Sequence, residues 1–289
     1  LARRRRARRR RPPRGAGGQP RPPLRLSGGH AMTHALRTPV CDLLGIDLPI
    51  TGLTHSIAAS AAISRAGGFG VYAATRDTPE EIVARGAELV AAAGGRTTGI
   101  DLLLPKLSVD VSDRAAVEAA IPDGHRAFVA GLREKYAVPP ATRMGFRNRQ
   151  VRSEELWERQ IEAALATDAE VFACGVGVSA EVVARAKARG KLTMAVVGAP
   201  RHAEKAVACG VDVLVAQGAE AGGHTGTIGT MALIPQVVRA AGDVPVLAAG
   251  GIATGEQLVA ALAMGAQGAW MGTVWLSTAE HALPEVYRE

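Results

Sequence analysis

Aromatic side chains are scarce in this chain: Phe, Trp and Tyr together make up 3% of 289 residues. A core must therefore be filled by Ala, Val, Leu and Ile, and a hydrophobic content of 47% is ample for one. Cysteine is also sparse. Cys41, Cys174 and Cys209 are odd in number and show no CxxC spacing, which argues against a disulfide framework or a zinc site. That usage points to a reducing, cytoplasmic setting, with no metal expected. No charge-free apolar run reaches the ~18–20 residues needed to cross a bilayer, so no membrane span is expected.

Acidic residues are missing altogether from positions 1–31, which hold eleven Arg. The formal net charge of +7 hides this asymmetry, because the remaining residues carry 23 Lys/Arg against 27 Asp/Glu, a net −4. A basic arm suggests phosphate partners. This one is Arg/Pro/Gly-rich with almost no apolar residue to bury, and Met32 follows it. It reads as a disordered extension or an upstream-start artefact. Nucleic-acid binding is the weaker reading, and the absence of an apolar h-region speaks against a secretory signal.

From about residue 47 onward, short β-branched runs alternate with helical periods. Candidate strands are 48–53, 69–74, 98–104, 170–175, 192–197, 211–217, 244–249 and 267–272. Several are apolar nearly throughout, as parallel strands covered on both faces should be. Helices are expected at 56–66, 78–93, 153–167, 179–189, 203–209, 230–241 and 254–264. Thr78, Ser153 and Thr254 each precede acidic residues as N-caps, and Gly190, Gly210 and Gly265 fall where helices should stop. Eight such units predict a (β/α)8 TIM barrel spanning 32–289, with an open doubly wound sheet as the alternative. The interval 106–152 breaks the rhythm and reads as an insertion after the third strand, either a lid or a peripheral decoration. It carries two short helices, 113–120 and 124–136. The chain ends barely one helix past the eighth strand, so the barrel is expected to be short at its C-terminus.

Glycine punctuates three successive strand ends: Ala216-Gln-Gly-Ala-Glu-Ala-Gly-Gly-His-Thr-Gly226, Ala248-Ala-Gly-Gly-Ile252 and Trp270-Met-Gly-Thr273. Without Cβ atoms, such turns let backbone amides approach an anion, and barrel phosphate sites commonly lie after strands seven and eight. The bland reading is close-packed βα turns. The spacing is not that of a dinucleotide fingerprint. His224 follows two glycines at a strand end, where its imidazole can donate a proton or bind an anion. Gln217 can meet the edge of a heterocycle. His55, just beyond the first strand, and Asp101, within the third and read as a buried polar contact to a ligand, are further candidates. Glu220 reads as a solvated loop charge, and His125 and His281 read as surface residues. Cys209 reads as packing, whereas Cys174 lies at a strand end.

The 216–226 stretch resembles the nitronate monooxygenase (2-nitropropane dioxygenase) family. So do Ala249-Gly-Gly-Ile-Ala-Thr-Gly255, Ala261-Leu-Ala-Met-Gly-Ala-Gln-Gly-Ala-Trp-Met-Gly-Thr273 and Ala62-Ile-Ser-Arg-Ala-Gly-Gly-Phe-Gly-Val71. The resemblance spans about 40–278. It implies an FMN-dependent TIM barrel that oxidises alkyl nitronates with O2 to carbonyl compounds and nitrite. It places the FMN phosphate on amides at Gly222-Gly223, Gly250-Gly251 and Gly272-Thr273. Gln217, Thr51 and Gly52 would lie near the isoalloxazine, and His224 falls on the proton donor proposed for related flavin-dependent enoyl reductases. Two departures stand out. Where nitronate oxidisers carry a catalytic His at the end of the fourth strand, this chain has Phe172-Ala-Cys-Gly175, with Ala173 at the histidine position. The usual Ala-Pro-Met of the first strand is replaced by Pro49-Ile-Thr-Gly-Leu-Thr-His55. An NAD(P)H-dependent flavin reductase acting on an enone or quinone is the alternative, and a flavin-free phosphate-binding isomerase or lyase a further one.

Overall fold

Eight parallel strands close on themselves in chain order in the computed structural model, which describes residues 36–104, 114–140 and 153–281. The strands are β1 (Ile50–Thr54), β2 (Phe69–Ala73), β3 (Thr98–Leu103), β4 (Val171–Gly175), β5 (Leu192–Val197), β6 (Val213–Gln217), β7 (Val246–Ala249) and β8 (Gly268–Met271). Closure comes from β1 pairing with β8, Thr51 opposite Trp270. This is the expected TIM barrel, and the open sheet is excluded. The barrel buries both faces of every strand. Phe69, Val71, Val171, Met194, Val213, Val215 and Leu247 fill the interior, whereas Tyr72, Ile100, Leu102, Phe172, Ala195 and Leu214 pack under the helices. This two-sided burial is why the strands read as nearly continuous apolar runs.

The helices are α1 (Pro39–Leu44), α2 (Ile57–Arg65), α3 (Pro79–Ala93), α4 (Arg114–Ala119), α5 (Asp123–Lys135), α6 (Glu154–Ala166), α7 (Ala180–Ala188), α8 (Pro200–Ala208), α9 (Thr230–Ala241) and α10 (Gly255–Ala263). Thr78 and Thr254 form capping boxes with Glu81 and Gln257, and the Ser153 hydroxyl accepts from the Leu156 N–H. Gly190, Gly210 and Gly265 all adopt positive φ, as their stop role requires. Helix α8 begins at Pro200 rather than 203, because a proline is preset for the first helical turn.

The sequence reading missed α1, whose Val40, Cys41 and Leu44 are fully buried against the barrel interior. Burying Val40 and Leu44 stabilises the fold by about 1.5–3 kcal/mol each. The insertion after β3 holds α4 and α5, as expected, and α5 buries none of its residues. Residues 1–35, the arm among them, lie outside the described part of the chain. No helix among the described residues is long and apolar enough to cross a membrane.

Candidate active site

The C-terminal ends of the strands surround a cavity of about 1130 Å3. Small-molecule sites commonly run to ~300–1,000 Å3, so there is room for a cofactor and a substrate together. Leu53 and His55 line it from β1, Ala73, Thr75 and Arg76 from β2, and Asp101 and Leu103 from β3. Gly175 and Val176 follow on β4, Val196 and Gly198 on β5, and Gln217 with the Gly222–Gly226 stretch on β6. Trp270 of β8 closes the wall, and α8 contributes His202 and Lys205.

The β6 loop is a built structure. The Ala219 N–H donates to the Ile228 carbonyl at 2.9 Å, pinching the glycine-rich segment into a closed loop. Glu220 is exposed, as expected of a solvated loop charge, but it also has a fixed partner. Its carboxylate accepts from both the backbone N–H and the hydroxyl of Thr230, each at 2.7 Å, and so caps α9. These bonds hold its carboxyl below the usual carboxylate range. The Thr230 hydroxyl also lies 3.0 Å from the Gly250 carbonyl, so its one proton is shared between two acceptors that tie the β6 and β7 loops together.

Glycine is required where these loops meet. A Cβ on Gly218 would stand 2.4 Å from the Thr230 Cα, and one on Gly250 would stand 2.5 Å from the Thr230 Oγ1. A Cβ on Gly222 would stand 3.3 Å from the Thr273 Oγ1, so the β6 and β8 loops also converge.

The sequence-derived candidates therefore divide. Gln217, Gly222, Gly223 and His224 form part of the cavity wall, with His224 exposed at its rim. Gly250, Gly251, Gly272 and Thr273 stand beside that wall, joined to it through Thr230, Glu220 and Gly222. At β1 the wall is made by Leu53 and His55 rather than by Thr51 and Gly52. Gly52 faces outward, where a Cβ would meet the Ile63 Cδ1 and the Trp275 indole. Thr51 is fully buried, and its hydroxyl has no hydrogen-bond partner among the described residues. No described residue of α4 or α5 lines the cavity.

Other readings change with the structure. His281 is buried, not a surface residue, whereas His125 is exposed as expected. Cys174 points into the helix layer, its thiol donates to the Met194 carbonyl, and burial pushes its pKa up to about 12. It is packing. Arg76, His202, Lys205 and Trp270 went unread as site residues. The i, i+3 spacing of His202 and Lys205 put them on one helix face, but only the barrel shows which face meets the cavity.

Electrostatically the wall is basic: His55, Arg76, His202, Lys205 and His224 line it, and Asp101 is its one acid among the described residues. Such a mouth concentrates anions. The His55 Nδ1 lies 3.1 Å from the Ala73 carbonyl, so Nδ1 donates and Nε2 is left as an acceptor. Burial, with Arg76 nearby, holds His55 below its ordinary pKa despite that bond. Burial, with Arg201 and Lys205 beside it, does the same to His202. Asp101 is raised to about 7 by burial alone. Val176 adopts φ 60 at the end of β4, a conformation a β-branched residue rarely holds.

A family model described as nitronate monooxygenase matches residues 41–289. The chain belongs to the nitronate monooxygenase family. It is 39% identical over 262 residues to Rv1533 of Mycobacterium tuberculosis, which carries a monooxygenase name, covering 88% of this chain and 70% of that one. An octahydro-indene-carboxyl-CoA dehydrogenase of the same organism is 30% identical over 88% of this chain, which spans 59% of its length. Among solved structures, a nitroalkane oxidase of Streptomyces ansochromogenes superposes with a TM-score of 0.71 at 30% identity, over 86% of this chain and 71% of that one. Family membership makes this protein a flavin-dependent oxidoreductase and sets aside the flavin-free isomerase or lyase reading.

Proposed function

We propose that this nitronate monooxygenase family member binds FMN in the strand-end cavity and oxidises alkyl nitronates with O2 to carbonyl compounds and nitrite. The observation that carries the reading is that the β6 loop lines a cavity with a basic mouth while the β7 and β8 loops pack against that loop from behind, through Thr230 and Gly222. Gly222 and Gly223 line the cavity without a Cβ, which lets an anion approach the backbone closely, as a phosphate needs. Amides at Gly222-Gly223, Gly250-Gly251 and Gly272-Thr273 would hold the phosphate, and the Gln217 amide would meet the flavin ring edge. A bound flavin supplies the redox chemistry, and the protein supplies binding, orientation and electrostatics.

The cations around the mouth favour an anionic nitronate over its neutral competitors. Trp270, Leu53 and Leu103 add apolar side chains to the cavity lining. His224, at the rim, stabilises or protonates an anionic intermediate derived from the substrate.

One observation favours a second reading. Ala173 supplies no imidazole at the end of β4, and an NAD(P)H-dependent flavin reductase acting on an enone or quinone does not need one. Anaerobic mixing separates the two. Bleaching of the bound flavin by an alkyl nitronate, and not by NADH or NADPH, supports the monooxygenase; the reverse supports the reductase. A His224→Ala variant with undiminished turnover removes that residue from both.

A further inference from the structure

Asp101 is the most unusual side chain in the barrel. It is 4% exposed, lies inside β3, and lines the cavity. Its backbone carbonyl accepts from the Ala74 N–H, but its carboxylate has no hydrogen bond or ion pair among the described residues. Register explains the isolation. In the parallel ladders Asp101 stands opposite Ala73 of β2 and Ala173 of β4. Residues at one level of adjacent parallel strands face the same side, so the carboxylate projects inward between two methyl groups. Below it, Gly99 offers no side chain, and Val71 and Val171 complete an apolar floor. A buried carboxylate without a partner destabilises a fold, and groups so placed concentrate where chemistry is done.

We propose that Asp101 is a proton acceptor of this site, doing from β3 what the absent histidine cannot do from Ala173, and that it extends turnover from a nitronate to its neutral conjugate acid, the nitroalkane. The inference rests on the monooxygenase reading. The step is a proton transfer. The C–H bond next to the nitro group breaks, its electron pair delocalises onto the nitro oxygens, and the proton moves to a carboxylate oxygen of Asp101. The product is the nitronate that the enzyme oxidises.

The burial that isolates Asp101 also suits it to this work, because it raises the pKa to about 7, near the value a base needs at neutral pH. The ionisable groups facing the same cavity are His55 after β1, Arg76 after β2, His202 and Lys205 on α8, and His224 after β6. Cys174, next to Ala173 on β4, faces the opposite side of the strand and stays protonated.

The test is anaerobic reduction of the bound flavin by a primary nitroalkane and, separately, by its preformed nitronate, across pH 5–9, in wild type and Asp101→Asn. Wild-type reduction by the nitroalkane should rise with pH through about 7 and level off. Asp101→Asn should lose that limb and about 10²–10⁴-fold of the rate, while reduction by the nitronate changes no more than a few-fold. Asp101→Ala should recover nitroalkane reduction when formate is added, which a structural role would not produce. On flavin-free protein, an infrared carboxyl band absent from Asp101→Asn should titrate near neutrality. Equal losses with both substrates, no loss with either, or a carboxyl that titrates near pH 4 overturns the assignment. A wild type that is reduced by the nitronate but not the nitroalkane also overturns it and leaves the monooxygenase reading standing. A wild type that responds to neither removes both.

Discussion

Glu220 and Thr230 are joined by two hydrogen bonds of 2.7 Å that fasten the glycine-rich β6 loop to the first turn of α9. The carboxylate takes up the first N–H of that helix, so under the proposed reading a phosphate would turn to the amides of the neighbouring glycines. Glu220→Ala should lower Tm and weaken FMN affinity together, because the cap and the loop are one unit. The bonds hold the Glu220 carboxyl below its ordinary value. A depressed carboxyl contributes stability above its unfolded pKa and loses it as pH falls through the folded one. The Tm gap between wild type and variant should therefore be full at pH 7 and close on acidification below about pH 4. A gap of equal size at pH 3 and pH 7 contradicts this account.

Asp101 has the opposite sign. Its pKa rises from 3.8 to about 7 on folding, so the native protein binds the proton more tightly than the unfolded chain does. Its burial is harmless at low pH, and stability is lost as pH rises towards 7. Asp101→Asn should be the more stable form at pH 8, by on the order of a few kcal/mol. The advantage should shrink steadily between pH 7 and pH 4. Denaturant melts at four or five pH values measure this, and a variant less stable than wild type at pH 8 contradicts it.

Two glycines of the β6 loop should respond differently to alanine. Gly218→Ala places a methyl 2.4 Å from the Thr230 Cα and 2.5 Å from its nitrogen, backbone that cannot step aside. It should cost about 1–3 kcal/mol or more and separate the loop from α9, with loss of FMN binding. Gly223→Ala meets nothing within 4 Å and is penalised only for its φ of 93°, about 1–3 kcal/mol. It should fold and bind FMN more weakly. Paired melts and flavin titrations of the two variants decide the matter.

Behind the cavity wall, the Tyr72 hydroxyl donates to Asp77 at 2.6 Å and Arg85 donates to the same carboxylate at 2.7 Å. The Gln160 amide holds the Asp77 carbonyl at 2.7 Å. This network braces the turn that presents Thr75 and Arg76 to the cavity. Tyr72→Phe leaves a buried carboxylate oxygen without its donor, which should destabilise by about 1–3 kcal/mol. An unchanged Tm would show that the network carries no stability.

The barrel was legible because two-sided burial writes itself into sequence as short β-branched runs, and because Thr78, Ser153 and Thr254 announce helix starts locally. Strand ends drifted by one or two residues, since pairing and not composition decides where a ladder stops. Helix α1 was invisible: six residues are too few for a helical period to show, and it is held by the barrel it plugs. The role of Glu220 was hidden because it caps a helix that begins ten residues further on. A cap is normally read from the residue next to the helix. Likewise the isolation of Asp101 depends on Ala73 and Ala173 being its ladder neighbours, a matter of register with residues 28 and 72 positions away. Gln217, Gly222, Gly223 and His224 were found because they lie in one contiguous motif; Arg76, His202 and Lys205 reach the same cavity from separate segments.

The central claim is that the strand-end cavity holds FMN, and equilibrium titration of the purified protein with FMN tests it most directly. The account predicts one flavin bound per chain, with its fluorescence changed on binding, retained through gel filtration, and lost in Gly218→Ala. FMN that stays fully fluorescent and elutes apart from wild-type protein would contradict it.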